Sequence, residues 1–169
     1  MATDYAFDTL FRAASPTVLL AAYFDPDHLA GQDRLAQFGS RVVLSDDDST
    51  TRRTTSWRVT SQKPLPVYVR PFVSGSTLQY VETMVWRKAD DAIDLTVLPE
   101  LLGGKVQVAG VYKVETVGPG QLRRRYTGSV TANVTLLSGK IERGIIGEMK
   151  EGVPIMTAST QRWLDAQKV

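Results

Sequence analysis

Residues 14–29, ASPTVLLAAYFDPDHL, contain two helix starts in close succession. In each, a side chain that accepts hydrogen bonds from backbone amides precedes a proline, and proline is favoured at the first position of a helix. Ser15 and Asp25 are the predicted N-caps before these prolines. The stretch therefore predicts a short apolar helix, followed at once by a second and more polar helix that ends near Phe38-Gly39.

Strand-like alternation occurs on both sides of this helix pair. Upstream, Tyr5, Phe7, Thr9 and Phe11 occupy alternate positions, and from residue 41 onward the chain is dominated by segments of period two. One face of these segments is apolar and the other is polar, which is typical of an antiparallel sheet covered on one side only. The predicted inward rows are Trp57 and Val59; Leu78, Tyr80, Glu82, Met84 and Trp86; Ile93, Leu95 and Val97; Val106, Val108, Gly110, Tyr112 and Val114; Tyr126, Gly128, Val130, Ala132 and Val134.

Turn-forming residues divide these segments. Asp46-Asp47-Asp48-Ser49 is predicted as a hairpin turn, since it lacks the ligand spacing and the glycine of a calcium loop. Gly103-Gly104 and Val117-Gly118-Pro119-Gly120 predict two further turns, and the segment from Leu65-Pro66 to Phe72 interrupts the sheet as a short helix or an ordered loop.

The last part of the chain returns to helical spacing. After Ser138-Gly139, one stripe collects Ile141, Ile145, Met149, Gly152, Met156 and Trp163. Pro154 lies inside this helix and is expected to bend or break it, because proline removes a backbone hydrogen bond and clashes with the preceding turn.

Composition restricts the chemistry that is available to the chain. At 169 residues it is predicted to form a single domain over residues 1–169. The absence of cysteine excludes disulfides and thiolate nucleophiles, and a lone His28 leaves little for a metal site. A net charge of +2 and the lack of a long apolar run favour neither nucleic-acid binding nor an integral membrane segment. We expect a cytoplasmic protein without cofactor or metal.

The order of strand, two short helices, further strands and a long C-terminal helix resembles the START-like superfamily, the polyketide cyclase/dehydrase and lipid transport (SRPBCC) group. The segments at residues 14–18 and 23–29 are similar to that superfamily's helix entry and helix junction. The segments at residues 128–134, 138–142 and 163–164 resemble a branch of it whose function is unknown. The resemblance implies an α+β helix-grip fold, in which a curved antiparallel sheet of about seven strands closes over the last helix. It also implies a cavity, but no activity.

The inward rows and the last helix supply the candidate pocket residues: Trp57, Tyr80, Glu82, Met84, Trp86, Leu95, Tyr112, Tyr126, Ile145, Met149 and Met156. Glu82 is the most informative, because a carboxylate on an apolar face must be paired or have a raised pKa. It is interpreted either as a polar anchor or general acid/base facing a ligand, or as a rim residue paired with Arg53 or Arg124. No catalytic residue is assigned.

Three other ionisable features have a structural interpretation beside a functional one. Glu148 is placed near the inward stripe, at a pocket mouth or in water. Arg123-Arg124-Arg125 is either a phosphate-binding patch or a solvated edge with Arg124 pointing inward. His28 has no evident partner in the sequence and is predicted to be an exposed helix residue.

The leading functional hypothesis is a lipid-binding or transport protein for a hydrophobic small molecule, such as a lipid, an isoprenoid or a polyketide-like aromatic. One alternative is a cyclase, dehydratase or hydrolase-like enzyme that uses Glu82 or a pocket tyrosine. Another is a protein-interaction module with a vestigial pocket. The sequence leaves the ligand and the oligomeric state open.

Overall fold

The computed structural model describes residues 2–67, 69–72, 77–100 and 102–168. In chain order its strands and helices are β1 (Ala2–Arg12), α1 (Pro16–Ala22), α2 (Pro26–Ala36), β2 (Phe38–Asp48), β3 (Arg52–Ser61), β4 (Gln79–Arg87), β5 (Ala92–Pro99), β6 (Val106–Gly118), β7 (Gln121–Ala132) and α3 (Ser138–Ala166). Short 3-10 turns occupy Arg70–Phe72, Lys88–Asp90 and Leu102–Gly104.

Both predicted helix starts are present. Ser15 Oγ accepts a hydrogen bond from the Val18 amide at 3.4 Å, and Asp25 Oδ1 accepts from the Asp27 and His28 amides at 2.9 and 3.2 Å. The second helix ends at Gln37, whose φ of 58° turns the chain out of the helix and into β2. The two caps therefore fix where the chain leaves β1 and where it returns to the sheet.

The strands form one antiparallel sheet in the order β1-β7-β6-β5-β4-β3-β2. The edge strands β1 and β2 are not joined to each other, so the described sheet is open. Its inner face carries the main apolar cluster, against which α1, α2 and the last helix pack. This is the predicted α+β helix-grip architecture, and the prediction is confirmed.

The C-terminal helix runs for 29 residues and continues through Pro154, so it is not broken there, and the alternative expectation of a bend stays a prediction. Proline leaves the carbonyl of residue i−4, here Lys150, without its helical donor. Pro154 and Lys150 are both exposed, and water can therefore hydrate that carbonyl. Near its end the helix is fastened to β1, where the Gln161 side chain accepts from the Arg12 amide at 2.8 Å and donates to its carbonyl at 3.0 Å.

The predicted turn at Asp46-Asp47-Asp48-Ser49 is also wrong, because the aspartates belong to β2 and the reversal lies at residues 49–51. Asp46 accepts hydrogen bonds from Arg53 Nη2 at 3.0 Å and from Thr55 Oγ1 at 2.7 Å. These partners across the hairpin lower the pKa of Asp46 and hold it in the strand. Ser49 makes the turn, bonding both the amide and the carbonyl of Arg52.

Candidate functional site

A cavity of about 240 Å³ lies between the inner face of the sheet and the first half of α3. Most of its lining is apolar: Phe38, Val59, Pro66, Val69, Leu78, Val97, Pro99, Val106, Val108, Ile141, Ile145 and Met149. Four polar side chains also line it, namely Tyr80, Glu82, Tyr126 and Glu148. The cavity is therefore an apolar space with a small number of convergent polar groups.

Strand register explains why Glu82 faces this space. Across the sheet it lies between Trp57 of β3 and Val97 of β5, and Val97 pairs in turn with Val108 of β6. Side chains at paired positions share one face of a sheet. The carboxylate is thus held in an otherwise apolar row.

Five of the predicted pocket residues line the cavity: Tyr80, Glu82, Tyr126, Ile145 and Met149. Five others, namely Trp57, Met84, Trp86, Leu95 and Tyr112, belong to the packed core beyond it. There α1 and its C-cap fill the sheet, with Phe24 stacked on Trp86 at 5.8 Å and Tyr23 at 5.1 Å from Tyr112. Met156 lies further along α3, where its carbonyl accepts from Gln32. Contact of any of these residues with a ligand stays a prediction.

Much of the lining was not among the residues that the sequence predicts for the pocket, notably Phe38, Pro66, Val69, Leu78 and Ile141. Alternation along a strand identifies the inner face, but not the position along the strand at which the covering helices stop. Alternation therefore predicts that Val97, Val106 and Val108 point inward, but it does not predict that they line the cavity.

Glu82 is paired with Arg41 of β2, so the predicted pairing with Arg53 or Arg124 is wrong. Arg41 Nη1 donates to Glu82 Oε1 at 3.3 Å. The same guanidinium donates to both carboxylate oxygens of Asp33 in α2, at 2.9 and 2.8 Å. All three side chains are at most 16% exposed. They form a charge cluster, Asp33–Arg41–Glu82, that joins α2 to two strands of the sheet.

The protonation equilibria of the charge cluster follow from its burial. Burial raises the pKa of Glu82, and the charge and hydrogen bond of Arg41 oppose this only in part. Burial alone would lower the pKa of Arg41, but the hydrogen bonds and charges of Asp33 and Glu82 outweigh it and raise that pKa. Arg41 therefore stays charged, and Glu82 takes up a proton more readily than an exposed glutamate does.

The two tyrosines of the cavity are hydrogen-bond donors near neutral pH. Burial, with a smaller effect from the negative charge of Glu148, raises the pKa of Tyr80 to about 12. Burial also raises the pKa of Tyr126 well above its ordinary value. Neither phenol ionises readily, and Glu82 is therefore the cavity's buried proton acceptor. Glu148 also lines the cavity, but its side chain is exposed.

Sequence comparison places the chain in a family. Residues 11–164 match the family model described as "Protein of unknown function (DUF2505)", which covers nearly the whole chain. The chain belongs to the DUF2505 family. No curated protein sequence matches it significantly.

Solved structures similar to this DUF2505 protein share its fold at low sequence identity. Zhui aromatase/cyclase from Streptomyces sp. R1128 has a TM-score of 0.66 at 10% identity, covering 98% of this chain and 94% of that one. A START superfamily protein from Mycobacterium smegmatis has a TM-score of 0.60 at 8% identity, covering 98% and 99%. A point mutant of Thalictrum flavum norcoclaurine synthase has a TM-score of 0.63 at 12% identity, covering 100% and 98%. The predicted START-like resemblance is confirmed at the level of the fold.

Membrane-spanning helices and metal sites are two further features considered for this DUF2505 protein, and the described residues provide neither. Within the described ranges, no helix has the length and apolar character needed to span a bilayer. The same residues contain no cluster of three or more His, Asp or Glu side chains that is suited to a metal ion.

The arginine triplet of the DUF2505 protein does not form one surface. Arg123 and Arg125 point outward and pair with Glu115 and Asp8, whereas Arg124 is buried. Arg124 Nη1 donates to the Tyr23 hydroxyl at 2.5 Å, and its guanidinium lies 4.7 Å from the centre of the Tyr112 ring. The inward parity predicted for Arg124 is therefore observed, in the packed core beyond the cavity.

His28 is buried, at 2% exposure, so its predicted exposure is wrong. Its Nε2 forms a 2.9 Å hydrogen bond with Thr160 Oγ1 of α3, and its ring contacts those of Tyr23 and Trp163. Thr160 follows His28 by 132 residues, and only the docking of α3 on α2 brings the two together. No local sequence signal reports such a partner.

The burial of His28 makes stability sensitive to acid. Burial lowers the pKa of His28 in the folded protein below its ordinary value of 6.5, so the unfolded chain binds a proton more readily. The stabilisation is complete above about pH 6.5 and is lost as the pH falls towards the folded-state pKa, by up to about 1.4 kcal/mol per pH unit. We expect urea unfolding midpoints to fall over this range.

The control is His28→Gln, which keeps a hydrogen-bonding side chain but does not titrate. Its midpoint should be lower near neutral pH and should change less over the mildly acidic range, above the ordinary pKa of Asp and Glu. An equal acid dependence in both proteins would show that His28 is not responsible.

Proposed function

We propose that the protein binds a hydrophobic small molecule, such as a lipid, an isoprenoid or a polyketide-like aromatic, in the cavity between the sheet and α3. The observation that carries the proposal is the lining, which is apolar apart from four polar side chains. Ligand pockets typically combine these features, because apolar surface supplies affinity while a few polar groups fix orientation. Zhui aromatase/cyclase and the START superfamily protein share the fold and support the proposal as analogies.

The size of the cavity favours a compact ligand. Its volume of about 240 Å³ lies just below the range of roughly 300–1,000 Å³ that is common for small-molecule sites. We therefore propose a molecule with one short chain or one to two rings. A ligand with several long acyl chains is not expected to fit.

A cavity-filling substitution tests this proposal. Val108 is 6% exposed and lines the cavity, so the ring in Val108→Phe should occupy the space that a ligand needs. We expect the affinity for a neutral two-ring fluorescent probe, 6-propionyl-2-(dimethylamino)naphthalene, to fall at least about tenfold, which corresponds to 1.4 kcal/mol. Stability should change less than in a fully packed core, because the added ring enters existing space.

The matched control is Val111→Phe, which adds the same ring on the outer face of the same strand. Val111 pairs with Asp94 and Thr127, whose parity is opposite to that of the cavity residues. Its probe affinity should equal that of the unmodified protein. Equal affinity in the Val108 variant would show that the probe binds outside the cavity, and the proposal would then be wrong. Mass spectrometry of organic extracts from gently purified protein would identify any ligand that co-purifies.

Enzymatic activity is a second candidate, favoured by the position of Glu82. A carboxylate whose pKa is raised by burial is suited to proton transfer near neutral pH, and Tyr80 and Tyr126 share its cavity as neutral hydrogen-bond donors. The corresponding reactions are cyclisation and dehydration. Incubation of a co-purified molecule with the protein and with Glu82→Gln, followed by mass spectrometry, tests the idea. Conversion by the unmodified protein alone would support catalysis, and no conversion by either would favour binding without chemistry.

A further inference from the structure

We propose that the ligand carries a protonated amine, which binds at Glu82 while its apolar body occupies the rest of the cavity. This inference rests on the proposed function, since it names the chemical class of the molecule that the cavity takes. It comes from the charges around the cavity and not from the volume.

The Asp33–Arg41–Glu82 cluster has an excess of negative charge. It contains two carboxylates and one guanidinium, all mostly buried. Arg41 gives its bidentate hydrogen bonds, of 2.9 and 2.8 Å, to Asp33, and a single longer bond of 3.3 Å to Glu82. A bidentate guanidinium–carboxylate pair is the stronger arrangement. Glu82 therefore has the weaker hydrogen bonding to Arg41, and the cluster contains one carboxylate more than it has guanidinium groups.

The carboxylate of Glu82 faces the cavity, where a ligand can reach it. Glu82 lines the cavity, whereas Arg41 and Asp33 do not. Arg41 lies instead over the ring of Trp57, at 5.2 Å from its centre. Among the described residues, Arg41 is the only hydrogen-bond donor to the Glu82 carboxylate, and it bonds Oε1 alone. The second oxygen is thus free to accept a hydrogen bond from a ligand.

The rest of the described lining provides no positive charge to balance Glu82. No lysine, arginine or histidine is among the described lining residues, and Tyr80 and Tyr126 are neutral donors. The only other charged group in the described part of the lining is Glu148, a second carboxylate. A buried charge requires a partner of opposite sign, so a carboxylate or phosphate ligand would be unfavourable next to Glu82. An ammonium group would complete the charge balance.

The test compares three ligands with the same alkyl chain, namely octylamine, octan-1-ol and octanoate. Their binding to the protein is measured by isothermal titration calorimetry near neutral pH. A hydrogen bond between charged partners exceeds a neutral one by about a factor of ten in affinity. We therefore expect octylamine to bind at least about tenfold more tightly than octan-1-ol, and octanoate to bind most weakly.

Two variants locate the origin of this preference. Glu82→Gln removes the charge, so the affinity for octylamine should fall to within about threefold of the affinity for octan-1-ol. That difference is smaller than the tenfold preference, about 1.4 kcal/mol, expected for the unmodified protein. Asp33→Asn leaves Glu82 in place but releases Arg41 to neutralise it, and it should also reduce the preference for the amine. The matched control is Glu151→Gln, an exposed glutamate on α3 that does not line the cavity, and it should keep the preference unchanged.

The pH dependence gives a further readout. An amine binds the ionised carboxylate, so its affinity should rise with pH through the raised pKa of Glu82 and then level off. The affinity of octan-1-ol should not follow this profile. The ionisable groups around Glu82 are Asp33 and Arg41 in the charge cluster, Tyr80 on its own strand, Tyr112 and Tyr126 on β6 and β7, and Glu148 on α3. Tyrosines with raised pKa values do not titrate in the range where Glu82 does.

The outcomes separate this inference from the proposed function. If none of the three ligands binds, the proposed function and the inference both fail. If all three bind with equal affinity, or octanoate binds most tightly, the cavity binds apolar molecules and the inference alone is overturned. The ratios measured on the unmodified protein decide this even if Glu82→Gln does not fold.

Discussion

Replacing Gly128 by alanine will destabilise the protein by about 3 kcal/mol or more, among the larger effects expected for a single methyl group. Gly128 in β7 lies directly opposite Gly110 in β6, and Tyr5 in β1 pairs with it on the other side. A Cβ at Gly128 would collide with the carbonyl oxygen of Ala109 and the Cα of Gly110, and then with the Tyr5 hydroxyl. Because the nearest atoms are backbone, no rotamer change can relieve the contact.

The measurement is the free energy of unfolding in urea, and the control is Gly147→Ala. Gly147 lies in α3 with nothing within 4 Å of an added Cβ. Alanine there should stabilise the helix by about 0.5–1 kcal/mol. Opposite signs for the same chemical change would show that the close approach of β6 and Tyr5 at Gly128, and not the loss of a glycine in itself, causes the destabilisation. A loss below about 1 kcal/mol at Gly128 would contradict this packing.

The helices and strands could be predicted because their signals are local, whereas the helix-grip arrangement was implied by the resemblance to the START-like superfamily. The N-caps Ser15 and Asp25 act on amides two or three residues away, and strand alternation depends on neighbouring positions only. Each signal is therefore fully contained in the sequence around it. The order in which these signals occur then restricts the topology to few possibilities.

Two of the failed predictions concern polar residues whose partners lie on another strand or helix. His28 is buried because Thr160 and Trp163 of α3 cover it. Asp46 stays in a strand because Arg53 and Thr55 bond it across the hairpin. In both cases a polar residue next to a helix start or a turn signal was interpreted by its local propensity, which a tertiary contact overrides.

The candidate site could be predicted from the sequence only in part. Parity placed Tyr80, Glu82 and Tyr126 on the inner face, where the structure has them. Parity could not identify Arg41 as the partner of Glu82, because β3 lies between their strands: Arg41 pairs with Val59 of β3, whereas Glu82 pairs with Trp57. Nor could it show that Tyr23 and Phe24 fill one end of the sheet and leave the other end for the cavity.

Glu142→Ala should cost about 3 kcal/mol, because this buried carboxylate fastens the start of α3 to the sheet. Its Oε2 accepts from Thr3 Oγ1 of β1 at 2.6 Å, and its Oε1 accepts from the Ala132 amide of β7 at 2.9 Å. Glu142 is 2% exposed and Ala132 is fully buried, so alanine would leave a buried amide without an acceptor. A buried donor that is left unsatisfied costs about 1–3 kcal/mol, and a hydrogen bond to a charged group contributes about 1.5–3 kcal/mol.

The same substitution should also weaken binding in the cavity, since Ile141 and Ile145 on this turn of α3 form part of its lining.

Glu142→Gln separates the hydrogen bonding of the side chain from its negative charge. Glutamine keeps an oxygen for the Ala132 amide and can donate to the Thr3 hydroxyl, so it should lose only about 1 kcal/mol. Glu151→Ala, which removes an exposed carboxylate from the same helix, should change stability by no more than about 0.5 kcal/mol. If alanine and glutamine at Glu142 were equally harmful, the charge itself would be required. If both were harmless, the start of α3 would be held by the packing of Ile141 alone, and the cavity would not depend on this carboxylate.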